Sequence, residues 1–153
     1  MTQPGTLNPY GTDLQSLPNP AANGAIDLDP GMVEASGRIL LAQSLVRRQT
    51  TPNGSVIDSP ADGIDVRGWM SQGWTQAQMQ AAAGQLKAEI LKDERVTNAT
   101  ITLAFTPSSP PGTGTLTITE QITSSYGPFQ LTLTIPDLTV AILLANQGTY
   151  GQT

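Results

Sequence analysis

The sequence predicts an α+β fold: two long helices and one short helix packed on a small antiparallel sheet of three to four strands, with extended N- and C-terminal arms. Two observations carry this. Before Lys92, apolar residues recur at helical spacing behind cap-and-proline signals; from Ala99 onward they alternate strictly with threonine and glutamine. The length of 153 residues suits one domain with a real core. The expected division is an extended arm over residues 1–28, an α+β domain over 29–136 and a C-terminal strand or tail over 137–153.

Residues 1–28 are rich in Pro, Gly, Asn and Ala and show neither a helical nor a strand period, so an extended arm ordered against a partner, or a floppy tail, is expected. Asp29-Pro30 pairs a capping side chain with a residue suited to the first helical position. Met32, Ile39 and Val46 then fall seven apart, as do Val33 and Leu40, which predicts an amphipathic helix over 30–49. Thr51-Pro52-Asn53-Gly54 ends it with turn chemistry. Ser59-Pro60-Ala61-Asp62 repeats the start signal and predicts a short helix over 60–71 carrying Ile64, Trp69 and Met70, broken at Gly73. Thr75 and Gln78 fit a capping box, and Met79, Ala83, Leu86 and Ile90 follow at helical spacing, predicting a helix over 76–92.

Ala99, Ile101, Leu103 and Phe105 begin the alternating part. Leu116, Ile118 and Ile122 continue it, then Phe129, Leu131, Leu133 and Ile135. Each strand has one apolar and one threonine-lined face, with turns over Pro107–Gly114 and Ser124–Pro128, and their order predicts an antiparallel meander covered by the helices. Leu138 to Ala145 fits either a fourth strand or a short helix.

Composition narrows the function classes. The net charge is −5, and the seven basic residues, Arg38 to Arg95, form no stripe, so neither nucleic acid nor an anionic membrane is an expected partner. With no cysteine, disulfides and thiolate metal sites are absent, and with no histidine the commonest general base and metal ligand are missing. No cofactor is expected. The N-terminus lacks the charged and apolar regions of a signal peptide, and the longest apolar run, Val140 to Ala145, is too short to span a bilayer, so the chain reads as soluble.

No catalytic constellation emerges. Lys87 and Lys92 lie on the predicted second helix, with Lys87 expected in solvent. The carboxylates Glu34, Glu89, Asp93, Glu94 and Glu120 show no paired spacing. Alternation places Glu120 on the apolar face, and the expectation is a strand end reaching water. Asp58, Asp62 and Asp65 lack a calcium-loop pattern and read as acids at a helix start. Gly112-Thr113-Gly114 lacks the lysine and helix of a phosphate loop. From Thr97 onward only Glu120 and Asp137 are charged, so the strand edges are poorly protected, and either a strand of another chain or the chain's own arms are expected to cover them.

The order of elements resembles the sheath-initiator, or wedge, family of contractile phage baseplates, related to type VI secretion and R-pyocin components. The resemblance spans residues 8–136. It rests on Tyr10-Gly11-Thr12-Asp13-Leu14, the helix before the Gly54 turn, Ser59-Pro60-Ala61-Asp62-Gly63-Ile64-Asp65-Val66, and Asp93-Glu94-Arg95-Val96 ahead of the strands. The family usually has proline where Glu94 stands. The resemblance implies a structural protein of the virion's tail baseplate, assembled in the host cytoplasm and present in six copies. Its implied partners are the tail sheath protein and the baseplate wedge proteins, with the tail tube or hub nearby. It implies that Asp93, Glu94 and Arg95 meet the wedge core, where a bidentate Arg–carboxylate contact across an interface would fit. The strand region is expected to accept sheath arms by strand addition, through Thr115, Thr117, Thr119, Thr132 and Thr134. No enzyme activity is expected; the alternatives are a peptidoglycan-hydrolysing tail enzyme and a generic adaptor unrelated to tails.

Overall fold

The change of apolar period from helical to alternating marks the boundary between two layers of the fold. The computed structural model describes residues 11–16, 31–71, 74–108, 113–144 and 148–149. Within them the elements run β1 (Asp13–Leu14), β2 (Glu34–Ala35), α1 (Gly37–Gln49), a 3-10 helix (Val66–Ser71), α2 (Gln76–Ile90), β3 (Val96–Ser108), β4 (Thr113–Ser124), β5 (Gly127–Ile135), β6 (Thr139–Leu144) and β7 (Gly148–Thr149). β3 to β6 form an antiparallel meander with the two-residue β7 beside β6, and β1 pairs with β2 in a separate small sheet.

The alternation works as expected. The register sets Ala99, Ile122, Phe129 and Leu144 in one cross-strand row, and Leu103, Ile118, Leu133 and Val140 in another. These side chains face the helices, whose Leu41, Leu45, Leu86 and Ile90 are fully buried in the same core. Each such side chain stabilises the fold by about 1.5–3 kcal/mol through burial. On the other face the rows are Thr102, Thr119, Thr132, Ala141 and Ala104, Thr117, Thr134, Thr139, with no charge in either. The residues after Pro136 resolve as a strand, with Val140, Ile142 and Leu144 buried and Ala141 and Leu143 exposed.

Three expectations are corrected. The first helix begins at Gly37, not at residue 30. Met32 and Val33, which share its apolar period, are 64% and 48% exposed, and Glu34–Ala35 instead pairs with the arm strand Asp13–Leu14. The helical start expected at Asp29-Pro30 lies outside the described residues. Second, the arm is not structureless throughout: the Gln15 amide donates to the Val33 carbonyl, continuing the small sheet. Third, only Val66–Ser71 of the expected helix over 60–71 is helical. Gly63 sits inside that stretch at φ 100°, where a right-handed helix cannot pass.

α2 matches its start signal in full. Thr75 Oγ1 accepts from the Gln78 amide, and the Gln78 side chain accepts from the Thr75 amide.

Candidate functional site

Edges decide what a sheet can bind, and this sheet ends in β3. Among the described residues no strand pairs with its outer side, whereas at the opposite end β6 is paired with β7. Beyond Leu103 the strand leaves the shelter of the helices; Ala104 to Ser108 are exposed and Phe105 is 46% exposed. The Phe105 ring lies over Gly114, where any side chain would collide with it.

The backbone groups that β3 offers can be counted. In an antiparallel ladder, alternate residues direct N–H and C=O to one neighbour and the residues between direct theirs the other way. Two marks set this parity. The Ala99 amide donates to Asn98 Oδ1 at 2.9 Å instead of across the ladder. Pro107, opposite Gly114 within the ladder, has no N–H to give. Both positions therefore face outward, and so do Ile101, Leu103 and Phe105 between them. The open edge is a tract of three donors, closed at one end by the Asn98 side chain and at the other by Pro107.

None of the threonines expected to add a strand lies on that edge. Thr115, Thr117 and Thr119 lie on β4, and Thr132 and Thr134 on β5, strands paired on both sides. Their backbones have no free side to offer. Their side chains form the uncharged face of the sheet, and among the described residues the strand with an unpaired outer edge is β3. Composition marked the sheet as uncharged, but only strand order reveals which strand is outermost.

The turn between α2 and β3 holds Asp93, Glu94 and Arg95 together. Arg95 Nε and Nη2 donate to Asp93 Oδ1 and Oδ2 at 2.9 and 2.7 Å. The bidentate contact expected across an interface is thus made inside the chain, with side chains only 14% and 9% exposed. Burial pushes the Asp93 carboxyl up, but the hydrogen bonds from Arg95 outweigh it and hold the group below its ordinary range. Arg95 also anchors the β4–β5 turn, since its carbonyl accepts from the Ser125 amide at 2.9 Å. Glu94, where the resembled family has proline, is exposed. Arg95→Ala is therefore expected to lower the unfolding free energy by about 1–3 kcal/mol in urea titrations, because the mostly buried Asp93 loses the guanidinium and keeps only the main-chain amide of residue 95 as a donor. Glu94→Lys should leave stability unchanged. Equal stability of the Arg95 variant and the parent would show the ion pair to be inert.

Two polar clusters were not foreseen. In the first, Glu89 (6% exposed) accepts from the Gly63 amide at 2.8 Å, Arg48 at 3.0 Å and Lys92 at 2.7 Å, while Asp62 reaches Arg48 at 3.1 Å. Burial pushes the Glu89 carboxyl up; the donors from Lys92, Gly63 and Arg48 outweigh this and hold it down. Asp62 is an ion-pair partner of Arg48 and not an acid at a helix start, whereas Asp65 does stand at one: it precedes the 3-10 helix, its Oδ1 accepts from the Arg67 amide at 3.2 Å, and it also pairs with the Arg67 side chain. No group of three potential metal ligands occurs among the described residues. A shallow depression of about 430 Å³ beside the cluster is lined by Asp65, Glu89 and Lys92, all already paired.

In the second cluster, Glu120 is fully buried at the centre of the sheet, correcting the expectation that it reaches water. Its row neighbours are Ile101 and Leu131. Gln49, the last residue of α1, donates from Nε2 to Glu120 Oε2 at 3.0 Å, leaving Gln49 Oε1 and Glu120 Oε1 without partners. Burial pushes the Glu120 carboxyl up to about 8, and the Gln49 hydrogen bond offsets only part of that. Protonation turns one carboxylate oxygen from acceptor into donor, which is what a pair with two surplus acceptors lacks.

Gln43 was also missed. It is buried, accepts from the Ser16 amide at 2.8 Å and donates to the Leu14 carbonyl at 2.9 Å, so it completes the backbone of the arm. Arg47 adds an exposed ion pair to Asp13 at 2.7 Å. A glutamine and an arginine in a helix carry no sequence signal for such a task.

Comparison with known proteins adds no relative: no family model, curated protein or solved structure matches the chain.

Proposed function

We propose that this chain is a structural protein of a contractile-tail baseplate, which starts the sheath by pairing its outer strand with a segment of the first ring of sheath subunits. The open β3 edge is the observation that carries this reading. It offers backbone donors at Ile101, Leu103 and Phe105, without the charges that guard most edges. The sequence resemblance over residues 8–136 supports the same role. Six copies would surround the hub, with the exposed Glu94 side of the α2–β3 turn toward the wedge proteins.

The added strand would be extended and free of charge, with apolar side chains toward Leu103 and Phe105 and small polar ones toward Thr102 and Ala104. Hydrogen exchange on the protein, diluted to a single chain and in assembled tails, tests this. The amides of Ile101, Leu103 and Phe105 should exchange far more slowly in the tail, while those of β4 and β5 change little. Unchanged exchange at all three in the tail would overturn the assignment.

A further inference from the structure

Among the described residues nothing pairs with the outer edge of β3, and the tract on it complements itself. We propose that the isolated protein pairs this edge with a second copy of the chain, as a two-fold antiparallel dimer centred on Leu103. This does not depend on the tail reading, although both use the same edge.

The centre follows from the ends of the tract. Ala99, whose amide is taken by Asn98, and Pro107, which has no amide hydrogen, stand equally far on either side of Leu103. A two-fold axis at Leu103 sets Ile101 against the partner's Phe105, Leu103 against the partner's Leu103, and Phe105 against the partner's Ile101. Each pair exchanges both of its backbone hydrogen bonds, so every donor of the tract is met. At either end Ala99 faces the partner's Pro107. One donor is already engaged and the other does not exist, so pairing stops without stranding an N–H. Centring the axis on Ile101 or Phe105 instead sets Leu103 against the partner's Ala99 or Pro107 and loses hydrogen bonds.

Side chains favour the same register. Ile101, Leu103 and Phe105 all lie on the helix side of the sheet, and Phe105 is 46% exposed. In the dimer Phe105 packs beside the partner's Ile101, and the two Leu103 side chains meet, joining the apolar strips of both copies. On the other face Thr102 lies beside the partner's Ala104, and Thr100 beside the partner's Thr106. A two-fold axis brings any charge near its own image; from Val96 to Ser108 there is none. The dimer would shield the edge from aggregation until a competing strand displaces the copy.

The chain has no cysteine, so single cysteines report the register directly. In the full chain, Leu103→Cys places two sulfurs across a pair whose Cα atoms are about 5.5 Å apart, within disulfide reach. Thr100→Cys places them about 20 Å apart, six residues along the ladder. On oxidation the first should convert to a covalent species of twice 16.0 kDa and the second should remain single. Sedimentation should give the unaltered protein twice the single-chain mass at high concentration. Leu103→Pro, which takes no hydrogen bond from the pairing with β4 though it also trims a half-buried side chain, should give the single mass with the strand content of the circular dichroism spectrum retained. Absent crosslinking at position 103, equal crosslinking at both positions, or a single-chain mass at every concentration overturns the proposal.

Discussion

Raising the pH from about 5 to about 8 is expected to lower the unfolding free energy by roughly 3–4 kcal/mol, and Glu120→Gln to abolish most of that loss. Glu120 is fully buried and its carboxyl is pushed up to about 8. Its folded-state pKa therefore lies above the unfolded value. The stabilisation is fully present below the unfolded pKa and is lost as pH rises through the folded one. Between the two, folding requires the chain to take up a proton. Glu89 and Asp93 are shifted the other way, so their contributions are lost as pH falls, on the acid side of this window. A glutamine at position 120 is neutral in both states and can accept from and donate to Gln49, but it adds an N–H without a partner, which costs about 1 kcal/mol. The variant should be slightly less stable than the parent near pH 5 and more stable near pH 8. Urea unfolding followed by tryptophan fluorescence reads this crossover; parallel pH curves would show that the Glu120 proton is not linked to folding.

How much of this was legible in sequence follows from the range of each interaction. The capping box at Thr75 and the alternation in β3, β4 and β5 are set by residues within a few positions of one another, and both appear in the structure as expected. The start of α1 was not legible, because the period at Met32 and Val33 fits a helix while pairing with the distant Asp13–Leu14 overrides it. Glu120 was placed on the correct face but assigned to water. The burial that decides its state comes from Gln49 on α1 and from Leu131 on the adjoining strand. The edge likewise depends on strand order: threonines on β4 and β5 look as available in sequence as those on β3, and only the meander makes β3 outermost. Asp93 and Arg95 were singled out for a contact across an interface, and sequence could not show that two residues so close together pair with each other.

Glu89→Ala should have the second large effect, a loss of about 2–4 kcal/mol concentrated in one region. Glu89 ties α2 to two segments distant in sequence, Arg48 near the end of α1 and the Gly63 amide in the loop, and pairs locally with Lys92 just after α2. Lys92 is 41% exposed, so its ion pair contributes little. Arg48 keeps Asp62 as a partner at 3.1 Å. The larger cost is the Gly63 amide, in a buried residue whose place cannot be relaxed. Gly63 adopts φ 100°, and a side chain there would strike the Thr51 carbonyl, so the loop is already in close contact with the chain just beyond α1. Removing the carboxylate leaves that amide without an acceptor in a site with no room to turn. Glu89→Gln retains an oxygen for it and should cost distinctly less. None of the partners of Glu89 lies on a strand, so the Gly63 amide should exchange much faster in Glu89→Ala while amides in the paired centre of β4 and β5 fall only to the new global level. A uniform rise across helix, loop and sheet would show that Glu89 supports the whole fold instead of pinning the loop, and unchanged exchange at Gly63 would show that its amide does not depend on the carboxylate.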